Sequence, residues 1–190
     1  MLIKSNRLTL LRPIQKVCMV QNEEWFDVVD EFDHVISKAR RKEVHAKGLL
    51  HRAVHILVFN QKGQVFLQKR SQLKDLCPGL WDSSCSGHVD SGEEYDTSAP
   101  RELCEELGIQ PQEPLKRLFY ITACKQTAME FVWVYYLNHE GPFSLNPEEI
   151  ETGHWYTPSE LNALIKENST HFTSSFLYIW KRASEMLMPN

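Results

Sequence analysis

Three carboxylates carry the most specific chemistry in this chain. Glu102, Glu105 and Glu106 stand three and four residues apart. They lie in a stretch, Asp96 to Leu107, whose pattern predicts a helix with Asp96 as its cap and Gly108 as its stop. At that spacing all three share one helix face. Crowded anions repel, and a hard divalent cation bound through oxygen relieves them. Mg2+ is the expected ion where phosphate is handled, with Mn2+ as a substitute. Upstream, Gly87 allows close backbone approach, so its carbonyl is a candidate for the metal shell. Glu93 and Arg101 are eight residues apart across the loop-to-helix junction. A salt bridge between them would pin the loop to the helix. Glu105-Glu106 alone would read as a solvated acidic face; the full constellation reads as a metal site.

The elements that must position these residues follow from the local pattern. Glu24 to Asp30 predicts a strand, with His34-Val35-Ile36 as its hairpin partner across a turn at Asp33-His34. Ala39 to Lys47 predicts a short helix ended by Gly48. Ala53 to Asn60 and Gln64 to Lys69 predict a β-hairpin around Gln61-Lys62-Gly63. Trp81 to Val89 has strand and turn character. Leu118 to Ala123 and Met129 to Leu137 predict paired strands, the second central. Pro158 to Lys166 and Ser175 to Met186 predict closing helices. Strands and helices alternate without a strict βαβ rhythm, which implies an α+β chain with a mixed sheet between helices, an α/β/α sandwich.

Composition narrows the function classes. The chain has 190 residues, 42% hydrophobic and 24% charged, which suits one domain, 24–190, behind an N-terminal arm, 1–23. Net charge is −4, so no basic excess exists to neutralise a nucleic-acid backbone. No apolar run approaches the ~20 residues of a membrane span. The five cysteines are odd in number and contain no CxxC pair, which points away from a disulfide framework and towards a reducing, cytoplasmic setting. The arm carries Lys4, Arg7, Arg12 and Lys16 without an acid up to residue 20, a mild likeness to a transit peptide. Its apolar run is too short for a secretory core, and it is read as packing on the domain. The aromatic stretch Trp133 to Tyr136 is a candidate face for a homodimer.

Gly87 to Ile109 (GHVDSGEEYDTSAPRELCEELGI) fills every defined position of G-x5-E-x7-R-E-U-x-E-E-x-G-U, where U is apolar. This segment is identified as the Nudix box. The chain therefore resembles Nudix hydrolases, which cleave a diphosphate linked to a further group. The resemblance implies that Glu102, Glu105 and Glu106 hold Mg2+, with Gly87 contributing its carbonyl. It implies that Glu105 or Glu106 takes the proton of the attacking water, with the acidic stretch Glu148, Glu149 and Glu151 in reserve. Glu93 and Arg101 complete the catalytic set.

Outside the box, Leu50 to Asn60, Leu67 to Trp81, Ser86-Gly87-His88, Asn146 to Trp155 and Phe172-Thr173-Ser174 are similar to the isopentenyl-diphosphate isomerase branch of the same superfamily. That branch implies that Arg70 and Lys74 grip the diphosphate. It also implies metal-binding histidines at His51, at His45 with one residue gapped, and at His88, which here also counts as a substrate contact. Glu130 matches its acid at the alkene.

The sequence departs from that branch in three respects, the first being that its Nudix box is intact where the isomerases carry a degraded one. Ser86 stands where the isomerase has its cysteine, with Cys85 one residue early and so on the opposite face of a strand. Ala128 replaces a second metal-binding glutamate. Three readings follow: a Mg2+-dependent pyrophosphohydrolase acting on a small-molecule diphosphate, an isopentenyl-diphosphate isomerase, or a non-enzymatic diphosphate sensor.

Overall fold

The computed structural model describes residues 23–187, so the expected N-terminal arm lies outside the described residues, Met1 to Asn22 and Met188 to Asn190 being left aside. Two strands, β1 (Trp25–Val29) and β2 (Val35–Arg40), form a small antiparallel sheet. Helix α1 (Arg41–Lys47) follows, closed by Gly48 at φ 60°. The β2 strand runs further than the sequence pattern suggests, because Ala39 pairs with Phe26 instead of opening the helix.

The main sheet has seven strands. β3 (His51–Phe59) runs parallel to β8 (Glu130–Asn138) along its whole length. On its other side β3 meets β6 (Cys85–His88) and, at its end, β4 (Val65–Arg70). β4 in turn pairs with β5 (Trp81–Asp82) and β9 (Ile150–Tyr156). β7 (Lys116–Ile121) lies against β8. β9 has no clear period-2 signature, since only Ile150 in it is buried. What settles it is Gly153, where a Cβ would collide with the Phe66 ring on β4.

Alternation along β3 divides the interior in two. Val54, Ile56 and Val58 face α2 (Tyr95–Leu107) and pack with its Ala99, Leu103 and Leu107. Ala53, Leu57 and Phe59 face the opposite layer, where α3 (Pro158–Glu167) and α4 (Ser174–Leu187) deliver Leu161, Phe176, Ile179 and Trp180. Helices thus cover both faces of a mixed sheet, as expected for an α/β/α sandwich.

Two expectations need correction. The first helical cap of α2 is Glu94, not Asp96: the Glu94 amide donates to Thr97 Oγ1 at 3.2 Å, while Asp96 accepts from Arg117 and the Tyr135 hydroxyl. The stretch Trp133 to Tyr136 is not an exposed face. Val134 and Tyr135 are buried and the two flanking rings are half-buried, because β8 lies between β3 and β7 with helices over both sides.

Candidate active site and a histidine cluster

The box residues are brought to one cleft of ≈ 420 Å³. Glu102, Glu105 and Glu106 line it from α2, and Gly87 lines it from β6. Gly87 is required by close packing: a Cβ there would overlap the Glu102 carboxylate. Glu102 and Glu106 are buried, whereas Glu105 is exposed. Burial, reinforced by the neighbouring Glu106, pushes Glu102 up to about 8. Burial also raises Glu106 to about 7, although hydrogen bonds from Cys85 and the Ser86 amide work the other way. Gln68 Nε2 donates to the same Glu106 carboxylate at 3.0 Å.

Arg101 is the local counter-charge. Its Nε and NH2 reach Glu93 at 3.0 and 2.9 Å, and its NH1 reaches Glu102 at 2.8 Å and Glu105 at 3.1 Å. Glu93 does not line the cleft; it holds Arg101 from behind. Two buried carboxyls with raised proton affinity, packed against a glycine that leaves room for them, fit a dication that would replace those protons.

Arg70 and Lys74 also line the cleft, as does His88. Arg70 donates twice to the Leu76 carbonyl, at 3.1 and 3.0 Å, and lies 3.6 Å from Asp82. Lys74 pairs with Glu149. Of the three acids Glu148, Glu149 and Glu151, only Glu149 lines the cleft; Glu151 holds Lys69 at 2.7 Å and Gln72 at 3.0 Å, and Glu148 is exposed.

A second constellation lies on the sheet face turned away from α2. Parallel register sets His51 beside Glu130, and antiparallel register sets His88 beside Ala53. α1 brings His45 to the same place. Among the described residues, His45, His51 and His88 form the group whose ligand atoms all lie within 4.8 Å of one another. The three glutamates do not gather that tightly. Glu130 Oε1 is 3.2 Å from His88 Nε2 and 3.5 Å from His51 Nε2. These distances are within reach but poorly aligned, and the Nε2 atoms of all three histidines are buried without a hydrogen-bond partner.

The ring tautomers sharpen this. His51 Nδ1 lies 2.8 Å from the Leu49 carbonyl, which can only accept, so Nδ1 carries hydrogen and Nε2 is the ligand atom. Arg41 Nη1 lies 3.3 Å from His88 Nδ1. Burial, with His88 and His51 beside it, pushes His45 down to about 4. Burial also lowers His88. For Glu130, burial acts upwards, but the adjacent His51 and His88 outweigh it and hold the carboxylate far below its ordinary range. The cluster therefore calls for positive charge at its centre, which a bound metal would supply.

Sequence reasoning did not single out Phe26 or Arg41. Phe26 from β1 is fully buried and stacks on His88 at 4.5 Å and His51 at 5.8 Å between ring centroids. Arg41 lines the cleft and binds Glu24 at 2.9 Å and Asp75 at 3.0 Å. Its place four residues before His45 on one helix was the available signal.

Cys85 is placed as the strand argument requires. It pairs with Ile56 and is wholly buried against α2, whereas Ser86 lines the cleft. Burial next to Glu106 and Glu102 pushes its thiol well up. Ala128, at φ 53°, lines the cleft where the isomerase branch has a carboxylate.

A family model, the NUDIX domain, matches residues 49–176. The chain belongs to the Nudix family. An uncharacterised Nudix hydrolase of Yersinia pestis is 38% identical over 148 residues, covering 76% of this chain and 79% of that protein. An isopentenyl-diphosphate Delta-isomerase of Photorhabdus laumondii is 32% identical over 157 residues, covering 81% of this chain and 89% of its own length. A crystal structure from Deinococcus radiodurans superposes with a TM-score of 0.69 at 31% identity, covering 76% of this chain and 90% of that one. The Nudix assignment makes the chain an enzyme of the pyrophosphohydrolase type, a family that generally works with divalent metal ions. β1, β2 and α1, which supply Phe26, Arg41 and His45, precede the matched domain. Among the described residues no helix is long and apolar enough to cross a membrane.

Proposed function

We propose that the protein is a Mg2+-dependent hydrolase that cleaves the pyrophosphate bond of a nucleoside, sugar or other diphosphate, with Mn2+ able to substitute. The observation that carries this reading is one cleft lined both by the Glu102, Glu105 and Glu106 carboxylates and by the cations Arg70 and Lys74. Glu102, Glu105 and Glu106 hold the ion, with the Gly87 carbonyl beside them. Such an ion lowers the pKa of water and neutralises phosphate charge as the bond breaks. Arg101, fixed by Glu93, keeps the carboxylates oriented. Arg70, Lys74 and His88 orient the diphosphate, arginine by its planar donor fork and lysine as a mobile point charge. The water's proton passes to a cleft carboxylate, Glu105 or Glu106 on the helix or the reserve stretch that Glu149 represents.

His45, His51, His88 and Glu130 are read as a second metal centre beside the first. A cytoplasmic setting fits the free thiols of Cys77, Cys85, Cys104 and Cys124, and one hydrolase domain over 24–190 fits the stacking of Phe26, from the small sheet, on His51 of the main sheet. The isomerase reading loses support from the geometry, because Cys85 is sealed behind the sheet and Ser86 takes the cleft position.

The test is a panel of nucleoside, sugar and isoprenoid diphosphates with Mg2+ or Mn2+, scored for inorganic phosphate after a coupled phosphatase. Metal-dependent phosphate release is expected. Tight binding without release would favour the sensor, and exchange of allylic protons dependent on Cys85 would favour the isomerase.

A further inference from the structure

Among the acids of the cleft, Glu149 has a partner that the hydrolase reading assigns to the substrate. Its carboxylate is paired with the Lys74 ammonium. The backbone holds both ends of this pair. Ser71 N donates to the Glu149 carbonyl at 2.9 Å, and Lys74 N donates to the Ser71 carbonyl at 3.2 Å. On the other side, Asn146 N donates to the Glu106 carbonyl and Glu149 N to the Asn146 carbonyl, each at 3.0 Å. Glu149 is therefore tied by a short turn to the acidic end of α2 while its side chain faces the cleft.

The two cations assigned to the diphosphate differ in freedom. Arg70 is fixed by two hydrogen bonds to the Leu76 carbonyl. Among the described residues the Lys74 ammonium is held by Glu149, on a flexible stem. A diphosphate carries more negative charge than one carboxylate, and so competes well for that ammonium. Glu149 lies in the cleft outside the helix trio, so it can accept a proton while Glu102, Glu105 and Glu106 hold a dication.

We propose that Lys74 and Glu149 form a latch that the substrate's diphosphate opens, releasing Glu149 to accept the proton of the attacking water. The inference rests on the hydrolase reading. In the step, one O–H bond of water breaks and its proton goes to the Glu149 carboxylate. The water oxygen forms a new O–P bond, the bridging P–O bond breaks, and its electron pair leaves on the departing phosphate. The proton then returns to solvent or to that phosphate.

Two variants give opposite signatures. Glu149→Gln removes the competitor for Lys74. It should bind methylenediphosphonate, whose P–C–P link cannot hydrolyse, about two- to five-fold more tightly than wild type by calorimetry in Mg2+, the range that follows from loss of a partly exposed ion pair. The same variant should lose about a hundredfold or more in kcat on whichever diphosphate of the panel is turned over. Lys74→Met should weaken methylenediphosphonate binding and raise KM by a larger factor than it lowers kcat, because it removes a diphosphate contact and leaves Glu149 without its partner. A merely structural pair would weaken binding in both variants. Equal or weaker binding by Glu149→Gln, no measurable binding by any of the three proteins, or an unchanged kcat in Glu149→Gln overturns the latch. If wild type releases no phosphate from any diphosphate, the hydrolase reading fails and the catalytic half of the latch with it. Tighter binding by Glu149→Gln would still separate that failure from failure of the Lys74–Glu149 competition.

Discussion

The acidic face of α2 and the histidine cluster behind β6 are two different constellations, each proposed to hold a cation. The first uses hard oxygen donors from one helix, and local sequence spacing assembles it. The second uses imidazole nitrogens from α1, β3 and β6 with a carboxylate from β8, and only the sheet register assembles it. Burial acts on the two with opposite sign. It makes Glu102 and Glu106 keep protons and makes His45 and His88 refuse them, since in each case the low dielectric disfavours the charged form. Oxygen ligands favour Mg2+ and imidazoles favour transition metals, so the difference between the sites predicts a difference in the metals they take.

The comparison can be broken most directly at Glu106. Glu106→Gln should lower turnover by about a thousandfold while leaving the unfolding transition cooperative, since it removes a carboxylate proposed to hold the metal. Steady-state kinetics and thermal melting decide it, and unchanged turnover would remove the acidic face from the chemistry. Next in size is Phe26→Ala. The ring is fully buried against three histidines, so its loss should cost about 3–5 kcal/mol by denaturant unfolding and should loosen the histidine site more than the acidic one.

Co2+ titration sharpens the contrast in ligand type. The histidine cluster should give visible d–d absorption, weakened about 10- to 100-fold in affinity by His51→Gln and retained in Glu106→Gln. If Glu106→Gln abolishes the signal instead, the ion sits among the carboxylates.

The smallest effect is in pH. In chelator-treated protein the folded state holds protons on Glu102 to about 8 and Glu106 to about 7, against an ordinary 4.5. Their contribution is most favourable below pH 4.5 and falls as pH rises through 8. His45 runs the other way. Held near 4 against 6.5, it stays neutral where the unfolded chain takes a proton, so stability falls as pH drops from 6.5 towards 4. Between pH 6.5 and 8 only the carboxylates act, and Tm should decline by about a few degrees. Mg2+ should cancel that decline, because the cation takes the place of the proton. A Tm that rises over this window would contradict the assignment.

Legibility followed the range of the interactions. The acid trio, Arg101 with Glu93, and the Gly108 stop were readable because a helix brings residues three and four apart together whatever surrounds it. The face switch between Cys85 and Ser86 was readable for the same reason on a strand. The cap at Glu94 was not, because Asp96 is drawn off by Arg117 and Tyr135 from distant strands. The exposure of Trp133 to Tyr136 was misjudged because burial depends on which strands flank β8.

The sequence by itself determined the family, the layered sheet and the helix that carries the acid trio, since periodicity and the box spacing are local properties of the chain. Tertiary structure decided that His45, His51 and His88 converge, that Phe26 and Arg41 from outside the matched domain reach the site, and that Glu149, among three neighbouring acids, faces the cleft. Those contacts join residues far apart in the chain, and their geometry is set by strand register and packing that no local pattern encodes.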